Sequence, residues 1–198
     1  MVLFVSSEIE KIKDFLFLRR VSVQKTIDDE KSTLLAVIFF ITTVVLTGIQ
    51  SFLIVNSFEW MFDLIATYVT YTPPSLLKMI FDAITSIISP VIAVILSFYI
   101  GNAIKGEAES LKHVIRAVGY SFIPLLIINV LSFLYLVNNI VVDIIVAGVS
   151  VILALWFVVV IVFALMLTFK KGALTGIIAI LGGLIVAGII FSWTVFIP

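Results

Sequence analysis

Residues 106–124 read GEAESLKHVIRAVGYSFIP. Glutamates, a lysine, a histidine and an arginine come first, and an apolar run enclosing Pro124 follows. The chain around this stretch is 63% hydrophobic and only 12% charged. Soluble domains are about 45–50% apolar and about a quarter charged. Polar residues gathered in one place in so apolar a chain read as a loop at a membrane surface that runs into a spanning helix.

Working outward, a bilayer-spanning helix needs about 20 mostly apolar residues. Stretches at roughly 33–55, 79–100, 114–137, 144–168 and 173–197 meet that requirement. Backbone amides inside a bilayer must be satisfied within each segment, and the alternation of a membrane β-barrel is absent, so the spans are helices. The predicted fold is all-α: a polytopic bundle of five transmembrane helices over residues 32–198, preceded by a short segment, 1–31. With the N-terminus placed in the cytoplasm, every Lys and Arg except Lys78 falls on the inner side. This positive-inside bias sets the orientation and puts the C-terminus outside. The opening stretch is then the inner loop between the second and third spans.

Composition also excludes. Net charge is zero, which argues against a nucleic-acid partner. There is no cysteine and one histidine, so disulfides, thiolate sites and multi-histidine zinc sites are ruled out. No HExxH, no Gly-x-Ser-x-Gly and no phosphate-binding Gly-rich loop occurs. The inventory implies neither an enzyme nor a cofactor. The first residues, MVLFVSSEIE, lack a basic n-region and a cleavage site, so no removable signal peptide is expected.

In the N-terminal segment, Ser6 or Ser7 is placed to cap a short helix with Ile9, Ile12, Phe15 and Leu16 on one face. Such a helix is expected to lie on the membrane. Phe58, Trp60, Phe62, Tyr68 and Tyr71 suggest an aromatic belt in the outer loop. Small residues recur at Ser86, Pro90, Ala93, Ser97 and Gly101 in the second span, and at Gly172, Gly176, Ala179, Gly183 and Ala187 in the fifth. Stripes of this kind let membrane helices approach closely.

Three groups of residues are candidates for function. Pro90 and Pro124 each remove a helix hydrogen bond near mid-span, and Tyr120 is the residue whose carbonyl Pro124 frees, so these three form a candidate hinge. Lys105, Lys112, His113, Arg116, Lys170 and Lys171 cluster at the inner ends of the spans and are candidate headgroup contacts. Gln50, Asp82, Asn129 and Asp143 place polar groups in the outer half of the bundle. They serve either as caps and interhelix bonds or as an outward-facing polar cavity. Lys78 sits four residues before Asp82, on the same helix face.

The arrangement resembles the Yip1 domain family. The resemblance is carried by Gly101 and Gly106, by Lys112-His113-Val114-Ile115-Arg116, by Gly119-Tyr120-Ser121-Phe122-Ile123-Pro124, by Pro90 and by the Lys171-Gly172 turn, and it covers roughly residues 10–198. It implies five-pass membrane proteins with a polar cytoplasmic N-terminal segment. In eukaryotic members it implies vesicle traffic and contact with prenylated Rab-type GTPases. The Asp-Leu-x-Gly-Pro motif of those members is absent here, where Ile88-Ser89-Pro90 keeps only the proline. The chain is more similar to prokaryotic members, which implies the cell membrane. The expected function is a non-enzymatic membrane-organising or trafficking-type adaptor. Its expected partners are the bilayer, anionic lipid headgroups, and other membrane proteins or further copies of itself. The alternative is a transporter or channel for a small solute, ion or lipid, built on the kinked second and third spans.

Overall fold

The computed structural model describes residues 2–54, 76–137 and 139–191. Among these, five windows are long and apolar enough to cross a membrane: Glu30–Gln50, Ile84–Ala103, Leu111–Val137, Ile140–Thr168 and Ala173–Phe191. They match the five expected spans to within a few residues at most ends. The aromatic residues of the outer loop and the side chains of Lys78 and Asp82 lie outside the described residues.

Two short helices come first, α1 (Val2–Leu16) and α2 (Arg20–Asp28). A 3₁₀ turn, Glu30–Ser32, leads into α3 (Thr33–Ile54), the first span. The second span is α4 (Leu76–Ala103). The third is split into α5 (Leu111–Ser121) and α6 (Ile123–Ser132), with a 3₁₀ extension Phe133–Val137. The fourth and fifth are α7 (Ile140–Thr168) and α8 (Ala173–Phe191). Contacts close the spans into a ring: α4 packs along α8, α8 on α7, α7 on α5 and α6, and these on α3, which returns to α4.

The third span is the most enclosed, with 33% of its apolar window buried against 17% for the fourth. Its composition explains this. Gly119 brings α5 onto the backbone of α3 at Ala36, with no space for a side chain between them. In contrast α7 shows Ile144, Ile145, Val151, Ile152 and Leu155 to its surroundings. That apolar surface suits lipid, which competes for it as readily as protein does.

The small-residue stripes pack as expected. Gly183 of α8 lies against Ala93 and Ser97 of α4, and Gly176 against Val162 and Leu165 of α7. Gly172 is the exception, facing open space.

The two mid-span prolines behave differently. Helix α4 continues through Pro90 without interruption. At Pro124 the span breaks, but the break falls at Phe122, whose N–H turns back to Val118 and Gly119. Pro124 then occupies the first turn of α6, where a missing N–H costs nothing.

Three helices of the same polar end finish alike. At Leu18, Lys105 and Lys170 the backbone enters the left-handed region (φ 54°, 69° and 52°). In each case two N–H groups reach back to close the helix: Arg19 to Asp14 and Leu18 to Phe15, Gly106 to Gly101 and Lys105 to Asn102, Lys171 to Met166 and Lys170 to Leu167. This is the Schellman pattern, with a side chain where glycine is usual.

Ser6 and Ser7 lie inside α1 rather than capping it. Most of its apolar face is turned onto the bundle. Phe15 is fully buried, and Ile12 and Leu16 pack on the core formed by α5 and α7. Part of the face, Ile9, remains exposed.

The contact at Gly119 is testable. Gly119→Ala would force α3 and α5 apart and should cost about 1–3 kcal/mol, seen as a lower melting temperature in mild detergent. A Cβ at Gly148 or Gly188 meets nothing within 4 Å. Alanine there should leave stability equal or raised by up to about 1 kcal/mol, the helix-propensity difference.

Candidate functional site

Arg116 and Tyr120 are four residues apart on α5 and so share one face. Side chains on a helix lean towards its N-terminus, which directs both towards the polar end of the bundle. Both are fully buried there. The Arg116 guanidinium donates through Nε to Thr33 Oγ1 at 2.8 Å and through Nη1 to the carbonyl of Ile27. Ile27 is in the last turn of α2, whose carbonyls lack helical partners and carry the negative end of the helix dipole. A buried cation is thereby satisfied by the end of one helix and the start of another.

The Tyr120 hydroxyl donates to Glu8 Oε2 at 2.7 Å. Its ring stacks on Phe15 (centroids 5.0 Å, planes 23° apart) and meets the edge of Phe39 at 5.5 Å. The other oxygen of Glu8 accepts from Lys11 Nζ at 2.8 Å. Lys11 also donates to Asp29 Oδ2 at 3.0 Å and Ser32 Oγ at 2.8 Å. One network therefore joins α1, the α2–α3 turn and the third span. Burial alone would lower the Lys11 pKa, but the hydrogen bonds it donates to Glu8 and Asp29 outweigh it and hold the amine above its ordinary value. Burial would likewise raise Asp29, and its bonds from Lys11, Ser32 and the Lys31 N–H reverse that and hold it low.

The expected headgroup residues separate into two kinds. Arg116 is corrected: only 1% exposed and bonded internally, it is a tie between helices rather than a lipid contact. The others lie at the polar end and reach its surface. Lys105 and Lys112 are exposed and form no ion pair among the described residues. Lys170 binds Glu109 at 2.6 Å and Lys171 binds Glu107 at 2.7 Å. Those hydrogen bonds lower both glutamates and raise Lys170. His113 meets Ser110 Oγ through Nδ1 at 2.8 Å and faces Asp28 and Glu109 through Nε2 at 3.8 and 3.9 Å. Beside these lysines an open groove of about 800 Å³ separates α2 from the α7–α8 turn, with Arg20, Gln24 and Lys170 on its walls.

Of the candidate cavity residues, Gln50 and Asn129 meet. Gln50 Nε2 donates to the Asn129 carbonyl, and Asn129 Nδ2 donates to the Thr43 carbonyl at 2.9 Å and Thr47 Oγ1 at 3.0 Å. Both side chains are buried, so this is an interhelix bond cluster between the first and third spans. Asp143 stands apart in the first turn of α7, which Asn139 caps by accepting from Val141 at 3.0 Å.

Glu8, Asp29, Ser32, Arg20 and Gln24 were not singled out by the sequence reading. A signal existed for the first: Glu8 precedes Lys11 by three residues and Phe15 follows by four, which puts an acid, a base and an aromatic on one helix face.

Tyr120→Phe should free α1 while leaving the spans folded. The expected cost is about 1–2 kcal/mol for a buried acceptor losing its donor, with faster protease cleavage near the exposed Phe17. The pH response follows from the two shifted groups. Asp29, with its pKa lowered, contributes stability above its ordinary value of 3.8 that is lost as pH falls through the lowered one. Lys11, with its pKa raised, contributes below 10.5 and loses that as pH rises through the raised value. Protease resistance of the α1–α2 turn should be flat across neutral pH and decline at both extremes.

The family model of the Yip1 domain matches residues 14–196. No curated protein and no solved structure matches the chain. The matched range takes in α2, the Arg116–Tyr120 face and every span just described, so the chain is an integral membrane protein that belongs to the Yip1 domain family.

Proposed function

We propose that this protein is a non-enzymatic membrane-organising or trafficking-type adaptor, oriented with its basic end in the cytoplasm, that engages anionic lipid headgroups and membrane partners there. The observation that carries the reading is the fate of the N-terminal segment. Folded onto Arg116 and Tyr120, α1 and α2 form a platform on the basic end, beside the exposed Lys105 and Lys112. Cations at that level are favoured by the anionic inner leaflet. Other membrane proteins, or further copies of this chain, would dock on the same platform.

A transport or channel reading needs a polar path through the spans. Gln50 spends its hydrogen bond on the Asn129 carbonyl, and the Asn129 side chain spends its own on Thr43 and Thr47, which supports helix packing instead.

Two measurements test the proposal. A cysteine at exposed Lys105 should be labelled only from the cytoplasmic side, and one at Val137, 60% exposed at the opposite end, only from outside. The reverse pattern would overturn the orientation. Purified from mixed-lipid membranes in mild detergent, the protein should retain anionic over zwitterionic phospholipid in native mass spectrometry. Equal retention would reject the lipid reading.

A further inference from the structure

We infer that the groove between α2 and the α7–α8 turn is a binding site for a single anionic phospholipid. The inference deepens the lipid-contact reading above and rests on it. Three observations point to a phosphate-bearing amphiphile. The groove is of ligand size, about 800 Å³, and open to the surface. Its lining is divided: Arg20, Lys170 and Lys171 supply positive charge, Gln24 adds a polar group, and Val21 and Met166 are apolar. Its level is fixed by the spans. The fourth apolar window ends at Thr168 and the fifth begins at Ala173, so Lys170 and Lys171 stand where hydrocarbon gives way to headgroups.

The charges are arranged to accept an anion. Glu107 and Glu109 hold the two lysines, and each ammonium has three donors, so one carboxylate leaves others available. Arg20 is exposed and makes no ion pair among the described residues. A phosphodiester lying between them meets charge from α2 and from the α7–α8 turn. The apolar remainder of the ligand has matching surface in the lining itself: Val21, 82% exposed, on the α2 side, and Met166 and Leu167 on the α7 side. A free phosphate would use only the cations and leave these side chains uncovered. The lipid therefore accounts for the whole lining.

The test uses the full-length protein in nanodiscs or mild detergent, titrated with phosphatidylglycerol or phosphatidylcholine and read by native mass spectrometry. Phosphatidylglycerol should bind first and tightest. Arg20→Gln should weaken that first binding about fivefold, and Arg20→Gln with Lys171→Gln about 25-fold, since each cation near a headgroup is worth roughly a factor of five. Melting temperatures should match wild type, because both side chains are exposed. Lys13→Gln with Lys25→Gln should leave the first lipid within about twofold, as those exposed lysines lie outside the groove lining. Loss of the first lipid in that control but not in the groove variants would overturn the site while sparing lipid binding as such. No preference for phosphatidylglycerol in wild type would overturn the broader reading too. Displacement of the lipid by millimolar glycerol 3-phosphate would show a simple anion site and reject the phospholipid as its occupant.

Discussion

A guanidinium cannot be buried without acceptors, and Arg116 is fully buried. That requirement organises the polar end of the molecule. The acceptors come from the last turn of α2 and the first residue of α3, so the connection between the N-terminal segment and the first span has to pass over the third span. One helical turn further on, Tyr120 makes the same demand with its hydroxyl, and Glu8 answers it from α1. Replacing either side chain leaves a buried polar group unpaired, which costs more than the bond itself contributes.

The helix break has a place in this scheme. Arg116 and Tyr120 are presented by α5, whose far end is the turn at Phe122. Beyond it α6 carries Asn129 to Thr43 and Thr47 of α3. The first and third spans are thus joined by buried polar bonds on both sides of the break, and by direct backbone approach at Gly119 just before it. The break lets one span satisfy both sets. Pro124 fits it by filling the position where a proline is least costly.

The same polar end holds the three left-handed helix terminations and the groove that the α7–α8 turn helps to form. A lysine in the left-handed region costs about 1 kcal/mol or more against glycine. At Lys105 and Lys170 that cost accompanies two cations set at the ends of apolar windows. Charge at the headgroup level and tight helix reversal are met by the same residues.

The sequence by itself determined the class. Five apolar stretches, their small-residue stripes and the one-sided Lys and Arg are local properties, readable because bilayer thickness and backbone hydrogen bonding leave few alternatives. The short motifs around Gly119 and Pro124 were enough to indicate the family. Tertiary structure decided what each polar residue does. Arg116 and Lys112 look alike in sequence and share one face of α5, yet one is enclosed by Thr33 and Ile27 and the other is exposed, because Lys112 lies one helical turn nearer the start of α5. Glu8 meets Tyr120 across 112 positions, and Gln50 meets Asn129 across 79. No periodicity encodes such pairings; they exist only once the ring of helices has closed and folded the N-terminal segment onto it.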